Sequence, residues 1–429
     1  MREELEGIVR TKVLLVGVDN GEEQDFEHSM EELKSLAEAS YREVVGIVVQ
    51  RMETINKSFY IGTGKVAEVK EYAAMYEAEE VVFDNALSPS QVRNLGKELE
   101  LTVLDRTNLI LDIFALRART GEAKLQVETA RLQYMLPRLV GLRENLSRQG
   151  GTGGSMSNKG AGETKLELDR RKIEHRISEL KKELEVVAKN RQVMRKKRGL
   201  SRTPQVALVG YTNAGKSTIM NRMVDSYGES REKTVLEKDM LFATLETNVR
   251  TINTGDNQPF FLVDTVGFIH KLPHSLVKAF QSTLEEVKYA DLLVQVVDFS
   301  DPHYKQHMEV TEETLKELGA GDIPQIIVLN KADQCESDVF PRRSDNRIYI
   351  AAGKGIGIDE LVDMIKEYTY ANQVVTSFMI PYDKGSVVSF LCENSVVLEQ
   401  SYFENGVYMK TKCQKQDVDR FCKYICKDQ

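Results

Sequence analysis

Long apolar runs are missing from this chain of 429 residues. No run approaches the roughly 18 residues that a membrane-spanning helix needs, so we expect no stable membrane insertion. The first residues, Met1 to Glu6, also lack the apolar core of a secretory signal peptide. Together these two absences predict a cytoplasmic protein.

Cysteine is scarce, and its spacing suits neither cross-links nor a metal site. The five cysteines form no Cys-x-x-Cys pair, and four of them lie near the C-terminal end. An odd number of cysteines without ligand spacing predicts reduced thiols rather than disulfides or bound zinc.

Net charge is −8, but the two signs are unevenly distributed. Residues 117–202 hold 22 Lys and Arg against 10 Asp and Glu, which leaves 36 basic and 56 acidic residues elsewhere. A run of charge is usually a solvated face. Here Arg170–Lys172 and Arg195–Arg198 are basic clusters beside a glycine-rich stretch, which favours contact with a polyanion such as RNA.

The length and the changes of pattern predict an α/β protein with four domains. Residues 1–107 alternate strand-like and helix-like runs, with Ser88 and Pro89 opening one helix, so we expect a small parallel sheet. Residues 204–370 read as a P-loop nucleotide-binding domain. Residues 371–429 read as a small α+β domain whose Asn405-Gly406 pair predicts a hairpin turn.

Residues 108–203 read as a basic helical hairpin. The first helix is predicted over Leu109–Gly141, with Pro137 breaking it late, and a glycine-rich loop covers Arg148–Gly162. The second helix carries an apolar seam at heptad spacing, which predicts antiparallel pairing with the first. The seam residues are Leu166, Ile173, Ile177, Leu180, Leu184, Val187 and Met194.

A phosphate-binding loop follows the apolar run Gln205–Val209 and precedes a helix-forming run. Glycines let backbone N–H groups point at phosphates, Lys216 would reach the β- and γ-phosphates, and the Ser217 hydroxyl would ligate magnesium. This context predicts a bound nucleoside triphosphate. The predicted loop residues are Gly210, Tyr211, Thr212, Asn213, Ala214, Gly215, Lys216, Ser217 and Thr218.

Two further segments are expected to sense the terminal phosphate. In the first, Thr244 is the candidate second magnesium ligand; its segment is Phe242, Ala243, Thr244, Leu245 and Glu246. The second follows a buried strand and consists of Asp264, Thr265, Val266 and Gly267. We expect Asp264 to hold magnesium through water and the Gly267 N–H to contact the γ-phosphate. Lys216, Thr244 and Gly267 are therefore the predicted catalytic residues.

Two single residues bear on the rate of hydrolysis. Phe268 stands where many regulatory GTPases carry a water-orienting glutamine, so intrinsic hydrolysis should be slow. Asn213 resembles the asparagine of potassium-stimulated GTPases, which makes potassium a candidate cofactor beside magnesium.

Guanine specificity is predicted from Asn330, Lys331, Ala332 and Asp333, which follow an apolar strand. The Asp333 carboxylate can accept hydrogen bonds from guanine N1 and N2, donors that adenine does not present there. Asn330 would brace the loop and Lys331 would cover the base. Ala351 and Ala352 stand where a Ser-Ala pair usually supplies a backbone N–H to the guanine carbonyl.

Beyond these motifs, the chain resembles the HflX family of ribosome-associated GTPases over nearly its whole length. The segments that carry the resemblance are Phe59–Lys65, Asn85–Leu95, Asp105–Ala118, Glu122–Val127, Gly162–Arg171, Gly210–Thr218 and Asp264–Val287.

The resemblance implies an N-terminal α/β domain, a basic helical hairpin and a GTPase domain. It further implies binding to the large ribosomal subunit and a part in splitting or rescuing stalled ribosomes. The N-terminal region and hairpin would contact ribosomal RNA around the peptidyl transferase centre. We expect a monomer.

The chain departs from the family pattern in its glycine-rich loop, which is longer and has Ala161 in place of proline. Some members have been assigned a second nucleotide site in the N-terminal domain. In this sequence only Gly62–Lys65 supports such a site, and the question stays open. Two alternatives also stay open: a nucleotide-gated RNA or ribosome adaptor in which hydrolysis is incidental, and a regulator of a protein partner acting through residues 371–429.

Overall fold

The computed structural model describes residues 10–21, 25–148, 159–199, 202–228, 241–242, 245, 247–271, 273, 276, 281–335 and 340–426. The chain forms two compact units. The first comprises Met1–Val193, Lys238–Glu246 and Ile269–Ser282, and the second comprises Met194–Glu237, Thr247–Phe268 and Thr283–Gln429. Among the described helices, none is long and apolar enough to cross a membrane.

A four-stranded parallel sheet forms the core of the first unit. Its strands follow the order β2-β1-β3-β4. Helices connect the strands, as the alternating pattern of the sequence predicts. The elements are β1 (Thr11–Asp19), α1 (Phe26–Ala39), β2 (Arg42–Arg51), α2 (Thr63–Met75), β3 (Glu80–Phe83), α3 (Pro89–Leu99), β4 (Thr102–Asp105) and α4 (Arg106–Arg117).

Side-chain caps fix where α3 and α4 begin. Ser88 and Gln91 form a reciprocal capping box at α3, with Pro89 in the first turn, which confirms the predicted start. Asp105 and Asn108 form the equivalent box at α4. The Asp105 carboxylate is fully buried and also accepts the Leu87 N–H at 3.0 Å.

The predicted helix over Leu109–Gly141 is wrong, because the structure has two helices there. α4 ends at Arg117, and α5 (Gly121–Arg148) begins after Thr120, whose hydroxyl accepts the Ala123 N–H at 3.2 Å. Pro137 lies inside α5 and does not end it.

Contacts to buried Asp105 account for the continuity of α5 around its proline. The Tyr134 hydroxyl donates to the Asp105 carboxylate, and Arg138 Nη2 lies 3.1 Å from the same carboxylate oxygen. Arg138 also donates to the Leu87 carbonyl at 3.1 Å. These anchors on both sides of Pro137 offset the backbone hydrogen bond that proline removes.

α6 (Lys159–Gly199) carries the predicted apolar seam. Ile177 and Leu180 are buried, while Ile173, Leu184 and Val187 are half-buried between exposed neighbours. Ion pairs link α5 to α6: Glu128–Arg176 at 2.9 Å and Glu122–Arg191 at 2.9 Å. The side chains of Leu166 and Met194, and residues 149–158 of the predicted glycine-rich loop, lie outside the described residues, whereas Lys159–Gly162 begin the helix.

A seven-stranded sheet forms the core of the second unit, in the order β10-β11-β9-β8-β5-β7-β6. The five strands from β11 to β7 run parallel, and β10 and β6 are antiparallel to their neighbours. Its elements are β5 (Gln205–Gly210), α7 (Lys216–Tyr227), β6 (Asn248–Ile252), β7 (Phe260–Asp264), α8 (Gln281–Lys288), β8 (Leu292–Asp298), α9 (Tyr304–Glu317), β9 (Gln325–Asn330), β10 (Arg342–Ser344), β11 (Arg347–Tyr349) and α10 (Ile358–Thr369).

A three-stranded antiparallel sheet completes the second unit, in the order β12-β14-β13. The predicted hairpin turn lies between β13 and β14. The elements are β12 (Gln373–Ile380), α11 (Gly385–Asn394), β13 (Val396–Phe403), β14 (Gly406–Gln414) and α12 (Lys415–Arg420). None of the five cysteines, all of which lie among the described residues, forms a disulfide.

Replacing Asp105 by Asn should destabilise the first unit, because Arg138 would lose its buried counter-charge. We expect a loss of about 3 kcal/mol. Hydrogen exchange of the β3 and β4 amides would measure it. Asp169→Asn, a half-exposed site on α6, is the matched control and should change the free energy of opening by less than about 0.5 kcal/mol. Equal effects of both substitutions would contradict the stabilising role of the contact between Asp105 and Arg138.

Candidate functional site

The phosphate-binding loop joins the fully buried strand β5 to α7, as predicted. Two of its glycines are required by close packing. At Gly210, φ is +140° and an added Cβ would lie 2.2 Å from the Val296 carbonyl oxygen. At Gly215, φ is +95° and a Cβ would lie 2.3 Å from Asn330 Nδ2. Any side chain at either position would push the loop away from the strands that support it.

Lys216 is buried at the first turn of α7. Its Nζ donates to the carbonyl oxygens of Tyr211 at 2.7 Å and Gly210 at 3.1 Å. Burial lowers the pKa of Lys216 to about 8, and the charge of Asp264 opposes only part of that shift. A buried ammonium group with neutral partners favours the approach of an anion.

Ser217 and Asp264 come together although 47 residues separate them. The Ser217 hydroxyl donates to Asp264 Oδ2 at 2.8 Å, and Asp264 is fully buried at the end of β7. The Thr265 hydroxyl fixes the same region by donating to the Leu208 carbonyl at 2.6 Å. A hydroxyl and a carboxylate are hard oxygen donors, so this pair suits a magnesium ion.

The segment after Asp264 runs directly beside the phosphate-binding loop. The Thr212 N–H donates to the Phe268 carbonyl at 2.8 Å, and the Phe268 N–H donates to the Gly210 carbonyl at 3.1 Å. A Cβ at Gly267 would lie 2.8 Å from Thr212 Cα and 2.9 Å from Lys216 Nζ. A side chain at position 267 would therefore collide with the lysine predicted to bind phosphate, and only glycine fits there. The Val266 and Phe268 side chains are buried.

Asn330 braces the loop, as predicted, and connects three segments. Its Nδ2 donates to the Ala214 carbonyl at 2.9 Å, and its Oδ1 accepts the Ala352 N–H at 3.0 Å. Ala351 and Ala352 are fully buried, so an alanine fits where serine is usual.

The two charged residues after Asn330 both have ion-pair partners that the sequence motif does not reveal. Lys331 Nζ lies 2.6 Å from Asp298 Oδ2, and Lys331 has a left-handed backbone with φ of 60°. Asp333 Oδ2 lies 3.1 Å from Lys354 Nζ, with the Asp333 side chain 17% exposed. Ala332, between them, donates its N–H to the Ile350 carbonyl.

The segment around the candidate magnesium ligand Thr244 is described only in part. Ala243, Thr244 and Glu246 lie outside the described residues. Phe242 and Leu245 are buried. The Phe242 ring meets the Phe114 ring of α4 edge to face, with centroids 4.8 Å apart. The structure therefore places Phe242 among residues of the first unit.

Two residues that support the phosphate-binding loop were not predicted from the sequence, Arg222 and His307. Arg222 of α7 donates to the carbonyls of Ala352 at 3.2 Å and Gly353 at 2.6 Å. The Tyr211 ring stacks on buried His307 of α9, with centroids 3.9 Å apart and planes inclined by 12°. Neither contact can be predicted from a local sequence pattern, because the partners are far apart in the sequence and become neighbours only in the folded chain. Asn213 and Thr218 complete the loop; Asn213 is exposed with φ of 60°.

Charge in the helical hairpin is more balanced locally than the residue count suggests. Arg170, Arg171 and Lys172 each lie within 3.5 Å of a carboxylate one turn away on α6. Such exposed pairs contribute little to stability, and the basic side chains can readily exchange their carboxylate partners for other anions. The side chains of Arg195–Arg198 lie outside the described residues.

Three family models match consecutive parts of the chain. A model described as GTP-binding GTPase N-terminal matches residues 27–115, and one described as GTP-binding GTPase Middle Region matches residues 117–198. A third, described as 50S ribosome-binding GTPase, matches residues 205–331. Together they cover nearly all of the chain from α1 to β9, which leaves out β1 and the elements after β9.

Curated relatives match over almost their full length. The chain is 42% identical over 418 residues to GTPase HflX of Caldanaerobacter subterraneus subsp. tengcongensis, covering 97% of this chain and 94% of the relative. It is 37% identical over 419 residues to GTPase HflX of Escherichia coli K12, covering 96% of both chains.

Among solved structures, a GTP-binding protein from Sulfolobus solfataricus in complex with GDP is 26% identical. The match covers 85% of this chain and 99% of that one, with a TM-score of 0.43. The extent and identity of the curated matches, together with the phosphate-binding unit described above, show that the chain is a GTPase and belongs to the HflX family.

Proposed function

We propose that the protein couples GTP hydrolysis to association with the large ribosomal subunit, and that it takes part in splitting or rescuing stalled ribosomes. The hydrogen-bonded pair of Ser217 and Asp264, next to buried Lys216, supports the nucleotide half of this proposal most directly. The excess of basic residues over 117–202, with a family model described as ribosome-binding, supports the other half.

At the phosphate end, Lys216 would turn from the Tyr211 and Gly210 carbonyls to the β- and γ-phosphates. Ser217 and Asp264, with Thr244, would hold a magnesium ion, which neutralises phosphate charge when bound. The Gly267 N–H would contact the γ-phosphate. Water is the nucleophile, and buried Phe268 offers it no polar group, so intrinsic turnover should be slow until a partner repositions the segment.

At the base end, the Asp333 carboxylate would leave its ion pair with Lys354 and accept hydrogen bonds from N1 and N2 of guanine. Lys331, held by Asp298, would lie over the base, and the buried loop at Ala351 and Ala352 would offer a backbone N–H to the guanine carbonyl. Asn213 is the proposed potassium ligand.

We assign four domains, 1–107, 108–203, 204–370 and 371–429, to a monomer that acts in the cytoplasm. In the alternative, the protein is a nucleotide-gated RNA or ribosome adaptor and hydrolysis is incidental. Stimulation of GTP turnover by large subunits, but not by naked ribosomal RNA, would favour the proposed function. Equal turnover with and without subunits, in potassium and in sodium, would favour the adaptor.

Nucleotide binding at pH 8 should take up protons, because phosphates favour the charged form of Lys216, whose pKa burial lowers to about 8. We expect an uptake of roughly half a proton per GDP at that pH. Calorimetry in buffers of different ionisation enthalpy would measure it, and Lys216→Met should abolish it. Proton release, or uptake that persists in Lys216→Met, would contradict the role of Lys216 in binding phosphate.

Because the pKa of Lys216 is lower in the folded protein than in the unfolded chain, the nucleotide-free protein should gain stability as pH rises from about 8 to 10.5.

Replacing Asp333 by Asn should weaken GTP binding roughly 100-fold, since one acceptor becomes a donor facing guanine N2. The same variant should bind xanthosine triphosphate more tightly than the unmodified protein does, because xanthine carries a carbonyl at that position. Competition binding with both nucleotides measures this change of preference from GTP to xanthosine triphosphate. The gain of xanthosine triphosphate binding also shows that the variant is folded. An unchanged preference for guanine would place the base elsewhere.

Changing Arg195, Lys196, Lys197 and Arg198 to Gln should weaken binding to large subunits. It should also reduce the slope of log affinity against log salt by roughly three to four, because about one counterion is released per neutralised phosphate. Lys305, Lys316, Lys410 and Lys423, exposed and outside the hairpin, provide a control with the same change in net charge. If both variants bind with the original affinity and slope, the hairpin does not dock on RNA.

A further inference from the structure

The phosphate-binding loop contains a buried hydroxyl group that the fold itself does not use. Thr212 is 6% exposed, and its Oγ1 has no hydrogen-bond partner among the described residues. Buried hydroxyls are nearly always hydrogen-bonded, because the water that they give up on folding must be replaced by another partner. Valine would fill nearly the same space without that cost. The hydroxyl of Thr212 is therefore better explained by a ligand than by the stability of the nucleotide-free protein.

The other polar groups that the structure describes in this loop are already bonded within the protein. Lys216 Nζ donates to two carbonyls of the loop, and the Ser217 hydroxyl donates to a carboxylate. The Thr212 N–H donates to the Phe268 carbonyl at 2.8 Å. Because the backbone donor of Thr212 is in use, its hydroxyl is the group with which this residue can bind a ligand.

Neighbouring contacts hold the Thr212 side chain in one position. Tyr211 forms a parallel bridge with Phe268, and the Tyr211 ring stacks on His307. Thr212 Cγ2 lies 2.9 Å from the point that a Cβ on Gly267 would occupy. In a β-branched side chain, a methyl group that is packed in this way also restricts the direction of the hydroxyl. The hydroxyl is thus pre-organised before a ligand arrives.

The position of Thr212 indicates which part of a nucleotide its hydroxyl would meet. The point beside Gly267 that lies next to Thr212 Cγ2 is also 2.9 Å from Lys216 Nζ. The Thr212 side chain and the Lys216 ammonium group therefore flank one small space. All three residues belong to the second unit. In the proposed function, Lys216 reaches the β- and γ-phosphates and the Gly267 N–H contacts the γ-phosphate, so a group that adjoins both lies beside the terminal phosphate.

We propose that Thr212 Oγ1 donates a hydrogen bond to an oxygen of the γ-phosphate, and that this bond makes the site prefer GTP to GDP. The inference rests on the proposed function, in which Gly267 contacts the same phosphate. A hydroxyl that donates to a charged oxygen forms one of the stronger hydrogen bonds in proteins. GDP has no γ-phosphate, so the hydroxyl lacks this partner when GDP is bound. The difference between the two states is the source of the preference.

The test is the ratio of affinities for a non-hydrolysable β,γ-imido analogue of GTP and for GDP, measured with magnesium in the unmodified protein and in Thr212→Val. Valine keeps the shape of the side chain and removes the donor. We expect the analogue to bind roughly 10- to 100-fold more weakly to the variant, the usual contribution of a hydrogen bond to a charged group, with GDP affinity unchanged. An unchanged ratio overturns the proposal.

Two further variants separate the hydroxyl from general effects of substitution. Thr212→Ser restores the hydroxyl and should recover most of the preference for the GTP analogue. Thr411→Val is the matched control, because it removes the hydroxyl of another fully buried threonine, in β14 of the C-terminal sheet. It should leave both affinities unchanged. If the serine variant binds the analogue as weakly as the valine variant does, the hydroxyl does not carry the preference and the proposal is wrong.

The stability of the nucleotide-free protein tests the premise separately. Since the hydroxyl has no partner there, Thr212→Val should unfold at the same denaturant concentration as the unmodified protein or at a higher one. A clear loss of stability would reveal a bond to the hydroxyl within the nucleotide-free fold and would overturn the proposal. Failure of the unmodified protein to bind either nucleotide would overturn the proposed function as well, whereas an unchanged ratio in protein that binds both overturns this inference alone.

Discussion

Burial of the Lys216 ammonium group is the constraint on which the second unit depends. A charged group without water must have oxygen partners, and here the carbonyls of Gly210 and Tyr211 supply them. To hold those carbonyls in place, the loop packs against Val296 and Asn330 so closely that Gly210 and Gly215 admit no side chain. Asp264 follows at the end of the neighbouring strand, where its charge only partly offsets the burial.

The same crowding explains the arrangement of the segment after Asp264. Gly267 has no room for a side chain beside Thr212 and Lys216, and Phe268 makes two backbone hydrogen bonds with the loop. Farther along the chain, Lys271 is paired with fully buried Asp84. Lys271 is partly exposed, whereas Lys216 is buried.

Local patterns predicted the parts of the molecule that local chemistry determines. The phosphate-binding loop, the start of α3 at Ser88 and the bracing role of Asn330 follow from residue types at fixed spacing. The persistence of α5 through Pro137 did not, because Asp105 stabilises α5 from 29 residues away. The helix break before Gly121 has a local cause, the Thr120 hydroxyl that accepts the Ala123 N–H, which the sequence prediction overlooked. Arg222 and His307 were missed because their partners are close only after folding.

The length of α6 has a mechanical consequence. At 1.5 Å per residue, its 41 residues form a rod about 60 Å long. Its C-terminal end leads, within a few residues, into β5 and the phosphate-binding loop, while its N-terminal end adjoins the glycine-rich stretch. One continuous helix therefore holds the residues at its two ends about 60 Å apart, farther than any other described helix of the chain could.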